Sequence, residues 1–303
     1  MDLLTGFGAI VVGIVAGMGL AHFGVVDDKT QQALGEIAFF VAGPALMITT
    51  ISEVPLDAEI GNLATSVVSL VTCFGLYALT ARLAWRTSAG PLLVGSLSAS
   101  YVNIGNLGLD VAAYVVGDVT IVVPALLVQM AIVQPVSLVA LDRITGRGGG
   151  LLLTARRTVS NPLLLAAIVG IALAATESLV PSVAEAPLDL LAGAAIPLML
   201  LSYGAAVRLS PRLGRSGHNR EVLLASLLKL FVMPLVAWSA GVAFGLRDQV
   251  LLGVVVTAAL PTAQNVFLHA TRYRVGEDVS RETILVTTVA SLPVVLIIAL
   301  VLG

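Results

Sequence analysis

The sequence predicts an all-α polytopic membrane protein, with ten transmembrane helices arranged as two inverted five-helix repeats and with helices 4 and 9 broken. Three observations lead there: a deficit of charge, ten apolar segments of spanning length, and a weak internal repeat. Of 303 residues, 58% are hydrophobic and only 34 are charged, 16 basic and 18 acidic. A soluble domain of this length carries about 75 charges. A single soluble core is therefore excluded. Ten spans of about 20 residues use about 200 residues and leave about 100 for connections, which predicts no appended soluble domain. The net charge of -2 matters less than its distribution across the membrane. Cys73, the single cysteine, excludes an intramolecular disulfide and suggests no cysteine-based metal site.

The apolar segments run over residues 3–25, 31–51, 60–81, 91–116, 119–141, 161–180, 187–207, 222–244, 249–270 and 283–302. Barrel strands would be about ten residues long with alternating polarity. These segments have neither property and predict helices. With ten spans, fourteen of the sixteen basic residues, from Lys29, Arg82 and Arg86 to Arg272, Arg274 and Arg281, fall on one side; Arg247 alone falls on the other and Lys229 lies within the eighth span. Cytoplasmic loops accumulate Lys and Arg. This predicts a multi-pass protein of the cytoplasmic membrane with both termini outside the cytoplasm. Asp2 and the lack of a basic stretch before the first span predict a retained helix rather than a cleaved signal.

The longest connection, 142–160, contains Arg143, Arg147, Gly148 to Gly150, Arg156 and Arg157 and predicts a flexible cytoplasmic linker between the halves 1–141 and 161–303. Its glycines follow no strand and lack the Lys-Ser/Thr ending of a phosphate loop. Across the halves, Gly13-Ile14-Val15-Ala16 resembles Gly170-Ile171-Ala172-Leu173, and Pro44-Ala45-Leu46-Met47 resembles Pro197-Leu198-Met199-Leu200. Asn106, Tyr114, Gly117 and Asp118 match Asn265, Tyr273, Gly276 and Glu277, and Pro135 matches Pro293. Because each half has an odd number of spans, the second enters from the opposite side, as in the inverted repeats of many secondary transporters.

Two spans are poor continuous helices. The fourth contains Tyr101-Val102-Asn103-Ile104-Gly105-Asn106-Leu107-Gly108-Leu109-Asp110, and the ninth contains Leu260-Pro261-Thr262-Ala263-Gln264-Asn265. Gly and Asn favour non-helical backbone, and Pro261 removes a donor and clashes with the preceding turn. Bare backbone at membrane depth is tolerated only where it is buried in protein or lines a wet cavity. Interrupted segments at matching places in two halves therefore point to a substrate site. The start of each second half-helix presents N–H groups and partial positive charge, which suit a carboxylate. Asn103, Gly105, Asn106, Pro261, Thr262, Gln264 and Asn265 form the candidate substrate site, with amides that bind an anion without a fixed charge.

These residues carry a resemblance. Asn103-Ile104-Gly105-Asn106-Leu107-Gly108-Leu109 with Gly117-Asp118 resembles the fourth span of the auxin efflux carrier family, and Ala259-Leu260-Pro261-Thr262-Ala263-Gln264-Asn265-Val266-Phe267 through Arg272-Tyr273 resembles its ninth. Asn161-Pro162-Leu163 also matches at the sixth span. The resemblance covers essentially the whole chain. It implies a scaffold of helices 1, 2, 6 and 7 and a transport domain of helices 3–5 and 8–10, with helices 4 and 9 crossing at midplane. The implied activity is translocation of organic anions by elevator-type alternating access. Two positions depart from the family: Asp110 stands where members commonly have Pro, and Val102 stands where plant carriers have Pro. The span-four break is then expected to rely on Gly105, Gly108 and the two asparagines.

Intramembrane ionisable groups are functional candidates by default. Asp110 and His269 fall at repeat-equivalent positions and are candidates for proton coupling, with Asp110 also a candidate sodium ligand. Lys229 is expected to snorkel, bind a substrate carboxylate or neutralise Asp110. Glu36 reads as a hydrated interface residue. Pro44, Met47, Pro197 and Met199 read as packed kinks or as the scaffold wall of the cavity, and Trp85 and Trp238 as interface anchors.

Together these features predict a secondary transporter of a small organic anion, such as a carboxylate. The alternative is a sodium-coupled symporter of the bile-acid type, which shares the architecture and a Gln-Asn pair in the ninth span. A membrane enzyme would need a nucleophile with a base or a metal cluster, and His22, His218 and His269 are scattered. No cofactor is expected beyond a coupling proton or sodium. The expected partners are the organic anion, membrane lipid and, in a homodimer, a second copy of the chain; no nucleic acid is expected.

Overall fold

The computed structural model describes residues 3–52, 60–146, 160, 162–176, 180–209 and 217–303. Among these residues the fold is entirely helical, without a strand. Its helices are α1 (Leu3–His22), α2 (Asp28–Ile51), α3 (Ile60–Ala84), α4 (Ala89–Ser100), α5 (104–116), α6 (Val119–Thr145), α7 (Pro162–Ala175), α8 (Ser182–Leu209), α9 (Asn219–Ala243), α10 (Asp248–Ala259), α11 (Gln264–Tyr273) and α12 (Glu277–Leu302). Much of the expected linker, with Arg147, Arg156 and Arg157, lies outside the described residues, as do Asn161, Arg212 and Arg215.

Ten spans are expected from the sequence; among the described residues six helices are long and apolar enough to cross a membrane: Asp28–Ile51, Ile60–Ala84, Val119–Thr145, Val183–Leu209, Asn219–Ala243 and Glu277–Leu302. Four further apolar stretches, Ile10–His22, Ala89–Ser100, Pro162–Ala175 and Asp248–Ala259, are shorter. For α4 and α10 the reason is local: both stop at a break after 12 residues, about 18 Å of helix against a hydrocarbon core of about 30 Å. Large apolar side chains point outward on many helices, among them Val12, Leu79, Leu235 and Ile297. Such outward apolar surface is what a lipid solvent favours and water does not.

Several helices widen into π turns directly before a proline: Ala38–Ala42 before Gly43-Pro44, Val128–Val133 before Gln134-Pro135, and Leu228–Val232 before Met233-Pro234. A proline lacks the N–H its helix requires, and its ring meets the carbonyl four residues back. A wider turn relieves that clash; Gly43 N–H accordingly bonds to the Ala38 carbonyl, five residues earlier. Pro197 and Pro293 lie inside α8 and α12 without such a turn. Asp27 caps α2 by accepting from Thr30 N–H at 2.8 Å and from its hydroxyl at 2.7 Å. Those bonds hold the Asp27 carboxyl below the usual carboxylate range.

The described chain divides into two compact units. The first holds α1, α2, α5, the beginning of α6 to Leu127, α7 and α8. Here α1 packs along α8, and α7 and α8 pack on α2. The α1–α8 approach is reciprocal: a Cβ on Gly17 would overlap the Leu201 carbonyl, and one on Gly204 would overlap that of Ile14. Gln31 Nε2 donates to Ser202 Oγ at 3.0 Å, and that hydroxyl donates to the Gln31 carbonyl at 3.1 Å, which joins α2 to α8.

The second unit holds α3, α4, α6 from Val128, and α9 to α12. α3 packs on α4 and α9, and α12 on α9, α10 and α4. One buried cluster joins Val94, Leu97 and Tyr101 to Leu138, Leu141, Val266, Ala270 and Tyr273. A second joins Tyr77, Ala81 and Ala99 to Ala225 and Leu228. These clusters enclose the two breaks on which the candidate site rests.

Candidate functional site

The chain leaves helical geometry twice in the second unit. α4 ends at Ser100, and Tyr101 is extended at φ -84°, ψ 119°. α10 ends at Ala259, and Leu260 takes φ -58°, ψ 154°. The residue before a proline is pushed out of the helical region into this extended one, so Pro261 accounts for the second break. The first has no proline. Gly105 and Gly108 do not create it, contrary to the expectation, because they fall after it and inside helical turns. Gly105 instead packs near Leu163 and Phe39 within the first unit.

What stabilises the first break is pairing with the second. Val102 and Thr262 form an isolated antiparallel bridge. Asn103 N–H donates to the Pro261 carbonyl at 2.9 Å, and Ala263 N–H to the Tyr101 carbonyl at 3.1 Å. The remaining backbone groups find side chains. Gln129 on α6 accepts from Val102 N–H through Oε1 and donates to the Val102 carbonyl through Nε2 at 3.2 Å. Thr287 on α12 accepts from Thr262 N–H at 3.1 Å, while the Thr262 hydroxyl donates to the Ser98 carbonyl at 2.6 Å. Two short extended segments are thus hydrogen-bonded without belonging to a sheet, as buried backbone requires.

Gln129 and Thr287 are absent from the residues singled out from sequence. A signal for them exists: each is a polar residue in an apolar run, six positions before the repeat-matched Pro135 or Pro293. Thr262 turns out to be a structural tie as much as a candidate ligand. Asn103 differs: its side chain is 3% exposed and its Nδ2 has no partner. Buried amide donors are nearly always paired, so this one is the clearest unmet hydrogen-bonding capacity at the breaks.

The other expected residues are distributed as follows. Gln264 and Asn265 open α11, half-buried, and Asn265 lies against the Tyr101 hydroxyl. Lys229 on α9 is fully buried and donates to the Ala258 carbonyl at 2.6 Å, with Met233 Sδ at 3.3 Å; it does not snorkel. His269, one turn further along α11, is half-buried with Nε2 unpartnered. All of these lie in the second unit. Gly105, Asn106 and Asp110 belong to the first, as do Pro44, Met47, Pro197 and Met199. Asp110 is fully buried in α5, and neither carboxyl oxygen has a partner. Met47 and Met199 are buried, and a Cβ on Gly43, beside Pro44, would lie 3.2 Å from Met199 Cε. Glu36 is exposed and accepts from Gln32. Among the described residues no three His, Cys, Asp or Glu side chains are grouped to hold a metal ion.

Comparison with known proteins bears on this arrangement. A profile of the membrane transport protein family matches residues 150–299. The chain is 27% identical over 303 aligned residues, 93% of each chain, to a Rhizobium meliloti (strain 1021) protein named "Putative malonate transporter". It is 25% identical over 290 residues to an uncharacterized transporter of Methanothermobacter thermautotrophicus, covering 94% of this chain and 93% of that one. To auxin efflux carrier component 1 of Arabidopsis thaliana it is 27% identical over 161 residues, which is 50% of this chain and 25% of the plant protein. With an all-helical fold and six helices of spanning length among the described residues, and with this profile match, the chain is a membrane protein whose residues 150–299 match the membrane transport protein family and which is similar to the auxin efflux carriers.

Proposed function

We propose that the protein is a secondary transporter of a small organic anion in the cytoplasmic membrane, with the substrate carboxylate held at the crossing of the two broken helices. The observation that carries this reading is the buried, unpartnered Asn103 Nδ2 beside the paired breaks. A donor without a protein partner costs about 1–3 kcal/mol where it is fully desolvated, and an anion relieves that cost. Gln264, Asn265 and the N-terminal turn of α11 supply further donors, with Pro261 and Thr262 shaping the backbone around them. The relative named as a malonate transporter supports a carboxylate substrate.

The same reading takes the chain as ten crossings in two inverted repeats, termini outside, working by elevator-type alternating access. Matching details support the repeat. Gly13 packs against Leu200, and Gly170 packs against Ile51 and Met47; Gly13 aligns with Gly170 and Leu200 with Met47, so the contact recurs with the halves exchanged. Gly117 and Gly276, also aligned, both take positive φ, 83° and 63°, where an L side chain is disfavoured. Helices 1, 2, 6 and 7 fall in one compact unit and helices 3, 8, 9 and 10 in the other, as a scaffold and a transport domain would; α5 and the start of α6 group with the scaffold helices. Pro44, Met47, Pro197 and Met199 are then scaffold-wall residues, and a homodimer is the expected assembly.

A proton is the favoured coupling ion. Hard cations such as sodium take several oxygen ligands, and among the described residues Asp110 belongs to no group of three His, Cys, Asp or Glu side chains that could hold a metal ion. A lone carboxyl suffices for a proton. His269 is a secondary proton site on the same argument. Uptake of labelled malonate by proteoliposomes tests the whole reading, with pH and sodium gradients imposed separately. Wild-type protein is expected to show saturable uptake driven by the pH gradient. Asn103→Ala loses that uptake while melting at the wild-type temperature, and Asp110→Asn loses the response to the gradient. Full uptake by Asn103→Ala would remove the substrate site from the breaks, and a sodium-driven wild type would favour the bile-acid-type alternative.

A further inference from the structure

In an unbroken helix the carbonyl of Ala258 would accept from the N–H of Thr262, four residues on. At the end of α10 that donor is gone, because Thr262 N–H has turned to the Thr287 hydroxyl. Pro261 has no N–H to offer in its place. The vacated acceptor is taken by Lys229: its Nζ, on a side chain with no solvent exposure, lies 2.6 Å from the Ala258 oxygen. A helix C-terminus carries partial negative charge, and cations placed there are stabilised. A half-helix that ends inside the protein cannot dissipate that charge into water. It needs a cation, either dissolved or attached to the chain.

We infer that Lys229 is a built-in cation at the carbonyl end of α10, holding the position a dissolved sodium ion would otherwise fill, and that it makes anion binding at the breaks independent of sodium. The inference rests on the transport reading and deepens it. Lys229 is a positioning residue: it fixes the second break and offsets the negative end of α10, so that an approaching carboxylate meets the amides of Asn103 and Asn265 without repulsion from that end. Its other contact, Met233 Sδ at 3.3 Å, is one helical turn along α9 and contributes no charge.

The test measures two quantities on detergent-solubilised full-length protein in sodium, choline or methylammonium chloride: thermal unfolding, and binding of labelled malonate. Wild-type protein is expected to melt and to bind malonate equally in all three salts. Lys229→Ala empties the space beside the Ala258 carbonyl. It is expected to bind malonate about tenfold more weakly in choline, and to regain both melting temperature and binding in sodium or methylammonium. Lys229→Arg, which keeps a fixed charge, is expected to remain insensitive to the salt and keeps the test open should the alanine variant not fold. Stabilisation of the wild type by sodium overturns the inference. So does a Lys229→Ala protein equally destabilised in all three salts, or a Lys229→Arg protein that becomes sodium-dependent. If wild-type protein binds no malonate yet Lys229→Ala still melts higher in sodium, the cation role stands and the carboxylate reading of the substrate falls.

Discussion

Val102 has a β-branched apolar side chain that gives no warning of a backbone needing support, yet both its N–H and its carbonyl are bonded by one side chain, Gln129. Thr287 does half of the same work for Thr262 and also donates to the Thr283 carbonyl in its own helix. The role of these two residues is hidden from local spacing rules because their partners lie 27 and 25 positions away; only their matched place six positions before Pro135 and Pro293 marks them in the sequence. Asn103, Thr262 and Asn265 were legible, since polar amides and hydroxyls clustered in an apolar span are conspicuous wherever they point. Thr287→Val keeps shape and volume but withdraws the acceptor from Thr262 N–H. It is expected to destabilise the protein by about 1–3 kcal/mol in reversible unfolding, while Thr287→Ser stays within a few tenths of a kcal/mol of wild type. A valine variant as stable as wild type would mean that Thr262 N–H finds another partner and that Thr287 is not what holds the second break.

Among the elements, the break in the ninth span follows from Pro261 and its effect on Leu260, a rule that operates within two residues and can be read directly from sequence. The break in the fourth span was expected from Gly105 and Gly108, but the chain opens at Tyr101, where tertiary pairing outweighs local propensity. The same contrast holds for glycines in regular helices. Nothing in the sequence distinguishes Gly204 from Gly75; only the packing of α1 on α8 does. A Cβ on Gly204 would overlap the Ile14 backbone, whereas one on Gly75 would meet nothing within 4 Å. Gly204→Val is therefore expected to lower stability by at least about 1–3 kcal/mol through overpacking. Gly75→Ala is expected to raise it by about 0.5–1 kcal/mol by restricting the unfolded chain and favouring α3. Thermal unfolding of the two purified variants distinguishes these effects. Equal tolerance at both positions would show that the α1–α8 contact opens at little cost.

For the molecule as a whole, the scarcity of charge identified a membrane protein before any residue was placed, because burying charge in hydrocarbon is costly whatever the fold. The number of crossings is harder to read. Among the described residues helical length alone gives six spanning helices, and it misses the two broken spans because each is made of two pieces too short to cross. The distribution of basic residues gives ten, because omitting one crossing would invert every later loop and scatter the Lys and Arg residues over both faces. The two counts differ in where they place particular loops. Ser88, exposed before α4, belongs on the cytoplasmic face in the ten-crossing reading, and Phe244, 48% exposed after α9, belongs on the outer face. Cys73 is fully buried and contributes little background to thiol labelling, so single substitutions to cysteine can be read in the natural protein. Phe244→Cys is expected to react with a membrane-impermeant maleimide in intact cells. Ser88→Cys is expected to react only after permeabilisation. If both label from outside, an even number of crossings separates the two loops instead of the five, spans 4 to 8, that keep them on opposite faces; the inverted pairing of the halves would fail with it, and the candidate site would lose the symmetry that relates its two breaks.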